Sequence, residues 1–253
     1  MSEARQTRVG LSLAAAIACA WAALHVYSVF FLHLSGSGLA LSPILVAAIC
    51  WLNVGLFIVA HDCMHGSLAP RRRKVNRWVG RLMLGLYAGF SFDRLLAKHF
   101  DHHKRPGTAD DPDFSEAHPS AFWPWYLAFF RQYFGLRELA VLSAVVAVYV
   151  LVLRAPYPNL LLFWALPAIL SSFQLFLFGT YLPHRAEEQG FADGHRARSN
   201  DFSWFASLIS CFHFGYHHEH HLAPHVPWWR LPAERARVRA LSSAEPPAHR
   251  RPA

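Results

Sequence analysis

The residues best suited to do chemistry in this 253-residue sequence are its 17 histidines. His61 and His65 lie four residues apart, and two later clusters share the spacing HxxHH. Those two clusters are His99, His102 and His103, and His217, His220 and His221. On a helix, positions i, i+3 and i+4 share one face. Each cluster can therefore direct two or three imidazoles at one point, which is what a metal site requires.

A metal centre is the interpretation that gives these ring nitrogens partners. Packing eight neutral imidazoles together without a metal leaves ring nitrogens unsatisfied. A single zinc takes about four ligands, so eight or nine histidines predict two metal ions. Imidazole suits iron, zinc, copper and nickel alike, so the spacing alone does not identify the metal.

The clusters must be positioned by membrane helices, because the chain is 54% hydrophobic and only 16% charged. Soluble domains carry about 25% charged residues. Lys, Arg, Asp and Glu are absent from residues 9–61, 139–153 and 155–184. A bilayer span needs roughly 20 apolar residues. We therefore predict four transmembrane helices, with breaks at 35–38 and at 154–158 inside the two apolar regions.

The basic residues predict how these helices are oriented. With four spans, both termini and residues 62–136 lie on one side of the membrane, and that side holds 23 of the 24 Lys and Arg. By the positive-inside rule this side is cytoplasmic, so the protein is expected in the cytoplasmic (inner) membrane. All three histidine clusters emerge there and can share one site. The net charge of +8 then needs no nucleic acid, and Arg71–Lys74 is expected to face anionic lipid.

The whole chain, 1–253, reads as a single all-α membrane domain. Helical periodicity dominates, and the sequence contains no internal repeat and no linker. Residues 78–92 predict an amphipathic or partly re-entrant helix on the cytoplasmic face. The basic residues after Arg230 predict a short helix, with disorder over 236–253.

These motifs resemble the membrane fatty-acid desaturase and hydroxylase superfamily, and within it the bacterial beta-carotene ketolases. The resemblance covers residues 40 to 235 and includes the third cluster as its longest and most specific string. The matching motifs lie at residues 61–66, 100–103 with 106–114, 181–185, and 212–221 with 224–232. The resemblance implies a non-haem di-iron centre held mostly by histidine.

The resemblance also implies which histidines bind the two iron ions. His184, which follows the last predicted span, is included because superfamily members take an extra ligand from such a place. The implied ligands are His61, His65, His99, His102, His103, His184, His217, His220 and His221. His213 is a tenth candidate, either as a ligand or as a group supporting one. No catalytic residue is predicted beyond the metal centre.

Carboxylates adjoin each cluster at Asp62, Asp101 and Glu219. Their positions lie off the ligand face, where they can accept the second ring N–H of a ligand histidine. A solvated or Arg-paired charge is the alternative for each. Asp110, Asp111 and Asp113 lie in a loop bounded by Pro and Gly, where turn and capping roles compete with pairing to the basic tail.

The reaction that the resemblance implies is ketolation at C4 and C4′ of beta-ionone rings. Beta-carotene would become echinenone and then canthaxanthin, with O2 as co-substrate. If hydroxylated rings are also accepted, zeaxanthin would become astaxanthin. The carotenoid would enter from the bilayer. Because the sequence has no Gly-rich dinucleotide motif and no CxxC pair, electrons are expected from an external ferredoxin-like donor on the basic face.

Two other functions fit parts of the pattern. A carotenoid hydroxylase or a fatty-acid desaturase would use the same kind of histidine-bound metal centre and would differ in its substrate channel. A histidine-rich metal transporter is a different class, and it predicts ionisable residues inside the spans. The predicted spans contain only His25 of this kind, so a fixed site is favoured over a transport path.

Overall fold

The computed structural model describes residues 1–188 and 190–244, which form helices and loops without a strand. The all-α prediction is confirmed. The main helices are α1 (Glu3–Phe31), α2 (Ser37–His65), α3 (Arg73–Ala88), α4 (Phe92–Lys104), α5 (Phe122–Tyr133), α6 (Leu136–Val152), α7 (Tyr157–His184), α8 (Trp204–Cys211), α9 (His217–Leu222) and α10 (Leu231–Ala244).

Three helices, α1, α2 and α7, are long and apolar enough to cross a membrane. Helices α5 and α6 meet the same criteria only as a pair, which is bent by 76°. The predicted count of four spans therefore holds only if this bent pair is one span. The bend follows from Phe134 and Gly135, which separate the two helices, and from the Gly135 N–H, which bonds the Glu138 carboxylate at 3.1 Å and starts α6 anew.

Helix α2 lies at the centre of the molecule and packs against α1, α3 and α7. Its second half is fully buried at Val54, Leu56 and Ile58. Each such side chain contributes about 1.5–3 kcal/mol when buried. The helix ends at Gly66, whose φ of 70° is left-handed and needs a glycine. This packing holds the end of α2, and the first histidine cluster with it, in one position.

The predicted amphipathic helix at 78–92 is present as α3, which begins earlier and ends at Ala88. Its exposed face carries Trp78, which is 69% exposed, beside Arg81, and its opposite face buries Leu84. An apolar aromatic ring next to arginine is typical of a helix at the membrane interface. Asp93 at the start of α4 accepts hydrogen bonds from Arg81 and fixes the turn between the two helices.

The prediction of disorder over 236–253 is wrong for its first part. Residues 236–244 continue helix α10, in which Arg237 pairs with Glu234 one turn earlier. Such i, i+3 pairs and the Ala and Arg content favour a helix. Residues 245–253 lie outside the described residues. Helix α10 is the short basic helix that was predicted after Arg230.

Candidate metal centre

The nine predicted ligands come together at one end of the helices, carried by four of them. Helix α2 carries the first cluster, α4 the second, and α9 the third. His184 is the last residue of α7. The predicted convergence of each cluster on one point holds for the first cluster, whereas the second and third clusters are each divided between two groups. The structure divides the nine histidines into two groups. Within each group, the candidate ligand atoms all lie within 4.8 Å of one another.

The first, the five-histidine group, comprises His61, His65, His99, His103 and His220. Its ring nitrogens are very close: Nε2 of His99 lies 2.6 Å from Nε2 of His65, and Nε2 of His220 lies 3.1 Å from Nε2 of His103. Two imidazole nitrogens can face each other this closely only when a proton or a cation lies between them. Three members are only half-buried, namely His65, His99 and His103.

The second, the four-histidine group, comprises His102, His184, His217 and His221, and all four are buried. Nε2 of His221 lies 3.2 Å from that of His102 and 3.1 Å from that of His217. The ring of His184 stands nearly perpendicular to those of His102 and His217, with centroids 4.8 and 4.9 Å away. The four rings therefore converge on a single point.

Hydrogen bonds fix the tautomers of two members of this group. Nδ1 of His102 donates to both oxygens of Asp111 at 2.9 and 3.0 Å. Nδ1 of His184 donates to the carbonyl of Arg196 at 2.7 Å. With the proton on Nδ1, each ring directs the lone pair of Nε2 into the group, as metal-binding histidines commonly do.

The loops that bind these two rings are themselves connected. The Arg196 guanidinium donates to the carbonyl of Gly107 at 2.7 Å, and the Gly107 N–H donates to Asp111 at 2.7 Å. Gly107 has a left-handed φ of 65°, which favours glycine. A continuous chain of hydrogen bonds therefore runs from His184 through both loops to His102.

Unpaired nitrogens in both groups fit a bound cation. Within the described part of the chain, Nε2 of His184 and both ring nitrogens of His61 are buried without a hydrogen-bond partner. Leaving such atoms unsatisfied costs about 1–3 kcal/mol each. All-nitrogen sets of four and five imidazoles suit the first-row transition metals, iron among them. The residues present therefore fit two metal ions, one in each group.

Burial keeps most of these imidazoles in the neutral form that binds metal. Burial, followed by the neighbouring imidazoles, lowers the pKa of most cluster histidines outside the spanning helices well below the usual range: His99, His217, His220 and His221. The same causes lower the pKa of His103 to about 2. His102 is the exception: burial lowers its pKa, but the hydrogen bond to Asp111 together with the negative charges of Asp113 and Asp111 outweighs burial, so its pKa is raised.

The three carboxylates predicted to orient ligand histidines do other things. Asp62 accepts from the backbone N–H of Trp228 at 3.1 Å, and Asp101 lies half-exposed 3.6 Å from Lys104. Glu219 is buried against Arg235 at 2.9 Å. For Asp101 and Glu219 the structure shows the alternative, a charge paired with a basic side chain, whereas Asp62 accepts from a backbone N–H instead of a ring N–H. Side chains next to a ligand on a helix point away from its face.

Asp111 performs the role that was predicted for these neighbours, and the sequence analysis missed it. It was expected to cap or shape a turn or to pair with the basic tail. The Pro106-Gly107 turn after the second cluster returns the chain, and this brings Asp111 back under His102. A carboxylate a few residues beyond a Pro-Gly turn was the signal available in the sequence.

His213, the tenth ligand candidate, lies outside both groups. Its buried ring packs between Trp204, Tyr216 and Trp228, with centroids 5.1 to 6.3 Å away. The left-handed φ of 62° at this residue turns the chain between α8 and α9. The turn directs the ring away from the other histidines.

An apolar cavity of about 440 Å³ reaches the histidines from between the spanning helices. Its wall includes His61 and His99 of the five-histidine group and His102 and His217 of the four-histidine group. Most of the remaining wall is aromatic or aliphatic, including Phe57, Phe90, Phe134, Val146, Trp164 and Ile169. An apolar molecule in this cavity would contact both groups, as expected for a small-molecule site.

The family model for fatty acid desaturases matches residues 35–141 and 132–252 of this chain. The chain therefore belongs to the fatty acid desaturase family, as the helical fold and the histidine clusters predicted. Its spanning helices fit a membrane protein of that family.

Its similarity to curated proteins is more specific. Beta-carotene ketolases from Paracoccus sp. strain PC1 and strain N81106 / MBIC 01143 are each 48% identical, over 90% and 94% of this chain and 93% and 96% of those proteins. A beta-carotene ketolase of Haematococcus lacustris is 37% identical over 88% of this chain and 78% of that protein. Within its family, the chain groups with the beta-carotene ketolases, which confirms the resemblance carried by its motifs.

Proposed function

We propose that this protein is a carotenoid ketolase that introduces keto groups at C4 and C4′ of beta-ionone rings. Beta-carotene is the proposed substrate, with echinenone and canthaxanthin as products, and zeaxanthin is converted to astaxanthin. The observation that carries this proposal is the apolar cavity that reaches both histidine groups. The 48% identity to beta-carotene ketolases supports the choice of a carotenoid over an acyl chain.

The proposed cofactor is a pair of iron ions, held by the nine histidines. His61, His65, His99, His103 and His220 would hold one, and His102, His184, His217 and His221 the other. Bound iron would supply the activation of O2 that attack on a ring C–H bond requires. The chain itself holds the imidazoles neutral, fixes the tautomers of His102 and His184, and surrounds the substrate with apolar side chains that exclude water.

The proposed reaction is two successive hydroxylations of one carbon. Each consumes one O2, two electrons and two protons, and it releases one water while a C–H bond becomes C–OH. The second gives a geminal diol, which loses water to leave the ketone. The electrons come from an external ferredoxin-like donor.

The donor is proposed to bind on the basic, cytoplasmic side, nearest the five-histidine group. This group is the more exposed of the two, and Phe100, which is 40% exposed, packs against His65 at 5.7 Å and His99 at 6.2 Å. An acidic donor is favoured by 23 Lys and Arg assigned to that side. The same charge asymmetry supports inner-membrane placement with both termini and the histidines in the cytoplasm.

The test is pigment analysis after expression in a beta-carotene-producing bacterium. Each converted ring should gain one oxygen and lose two hydrogens by mass spectrometry, with a red-shifted visible band. The matched control carries His102→Ala and His220→Ala and should leave beta-carotene unchanged. Oxygen gain without hydrogen loss would instead identify a hydroxylase. Unchanged carotene beside altered fatty acids would move the substrate to acyl chains.

A further inference from the structure

One hydroxyl group in the cavity wall has no partner. Thr180 lines the cavity and is 6% exposed; within the described ranges its hydroxyl has no hydrogen bond and is not among the fully buried unpaired atoms, so it is open to the cavity. The other wall hydroxyls have partners: Tyr133 with Asp113, Ser172 with Tyr126, and Tyr87 with Ser171. An unpaired hydroxyl in apolar surroundings costs free energy unless a ligand satisfies it.

Thr180 lies at the histidine end of the cavity. Its neighbour Gly179 lies against Phe214, so closely that an added Cβ would be 3.2 Å from that ring. Phe214 in turn packs edge-on against His61 at 4.5 Å and His217 at 4.8 Å, one histidine from each group. Thr180 therefore adjoins the part of the cavity wall that contacts both histidine groups, where the reacting carbon would lie.

We propose that the Thr180 hydroxyl hydrogen-bonds to the 4-hydroxyl of the half-oxidised ring and retains it for the second oxidation. This inference rests on the proposed function. The first hydroxylation converts C4–H to C4–OH and releases one water, with O2 as oxidant and the external donor as reductant. The second must attack the same carbon. Beta-carotene has no polar group for Thr180, so the bond forms only after the first oxidation.

Retention of this alcohol is what separates formation of a ketone from release of an alcohol. In an entirely apolar cavity, a ring bearing a hydroxyl binds less well than the unsubstituted ring, because the hydroxyl loses its hydrogen bonds to water. A single well-placed partner reverses that preference. Thr180 is thus a binding residue for the intermediate.

The test compares Thr180→Val, which keeps the shape and removes the hydroxyl, with Thr180→Ser, which keeps the hydroxyl. Both are expressed in a beta-carotene-producing bacterium, and 4-hydroxy and 4-keto carotenoids are quantified by chromatography and mass spectrometry. We expect the hydroxy-to-keto ratio to rise about fivefold to thirtyfold in Thr180→Val, the effect of one hydrogen bond. Thr180→Ser should stay close to the parent. The variants are compared at equal protein levels, because a released alcohol can bind again and be oxidised.

A second measurement uses binding instead of turnover. The purified full-length protein, without electron donor, is titrated with beta-carotene and with its 4,4′-dihydroxy derivative while tryptophan fluorescence is followed. Thr180→Val should weaken binding of the dihydroxy compound alone, by a similar factor. If the valine variant does not accumulate, Thr180→Ala replaces it in both measurements.

An unchanged hydroxy-to-keto ratio, an equal rise in Thr180→Ser, or equal weakening of both ligands would overturn the proposal. A defect confined to zeaxanthin, without release of 4-hydroxy products from beta-carotene, would also overturn it and assign Thr180 to the 3-hydroxyl. Failure of the proposed function looks different, because the parent protein would then yield no ketone at all.

Discussion

The two histidine groups are built differently although they share two helices. Helix α4 gives His99 and His103 to the five-histidine group and His102 to the four-histidine group, and α9 is divided in the same way. The five-histidine group takes its remaining members from α2, whereas the four-histidine group takes His184 from α7. Three of the five histidines in the first group are half-buried, whereas all four in the second are buried.

The comparison shows two ways of orienting imidazoles. In the five-histidine group, the rings contact one another and the side chains of Phe100 and Phe214, on helices that pack around α2. In the four-histidine group, two loops fix them through Asp111 and the Arg196 carbonyl. Helix packing leaves a side open toward the surface, while the loops cover the second group. We therefore expect loop substitutions to affect one metal ion and surface charges to act through the other.

Removing a ligand from each group should have the largest effect. His102→Ala and His220→Ala are each expected to abolish ketolation and to lower bound iron from roughly two ions per chain toward one, since each takes away one ligand of one site. Iron per purified chain, measured by elemental mass spectrometry, checks this. His218→Ala is the control, because His218 lies on the same helix but bonds Asp193 at 2.8 Å. Retained turnover in either ligand variant would contradict the ligand assignment.

Loss of a supporting carboxylate should affect only the four-histidine group. Asp111→Asn removes the negative charge and one of the two carboxylate oxygens that accept from His102, and we expect about 10- to 100-fold weaker metal binding at that site. Chelator titration of the purified protein should show one weakened and one unchanged ion. Asp101→Asn is the matched control, since Asp101 adjoins His102 in sequence but is half-exposed beside Lys104. An equal loss of metal affinity in both variants would mean that the carboxylate next to His102 in sequence matters as much as the one bonded to its ring.

These two aspartates show where sequence reasoning succeeds and where it fails. Helical spacing predicted the histidines that converge, because i, i+3 and i+4 positions share a face whatever the tertiary structure. The division into groups of five and four depends on how α2, α4, α7 and α9 pack, which periodicity does not encode. Likewise, the role of Asp111 depends on a loop that folds back. The bend between α5 and α6 was missed because hydropathy sums over Gly135 without registering a break.

Asp62 adjoins a ligand in sequence, like Asp101, and is expected to stabilise the fold without orienting a ligand. Its carboxylate accepts from the Trp228 backbone and so joins the end of α2 to the turn before α10. Asp62→Ala should lower stability by about 1–3 kcal/mol, because a buried N–H loses its acceptor. Thermal unfolding in detergent, followed by fluorescence, measures this, with Asp62→Asn as the control that keeps an acceptor oxygen. If Asp62→Ala instead released iron without lowering stability, Asp62 would support a metal ligand, as Asp111 does.

Surface charge should give the smallest effect, and it should act through electron delivery. Arg71, Arg72, Arg73 and Lys74 are all exposed on the proposed donor side. Reversing the four charges is expected to raise the KM for reduced donor several-fold at low salt, with the difference shrinking as salt screens the attraction. The control is Arg154→Glu, the single cation assigned to the opposite side. Bound iron should stay constant in both variants, since neither change touches a histidine. Equal turnover rates for the two variants would rule out the basic face as the docking surface. A loss of turnover that does not depend on salt would indicate a folding defect.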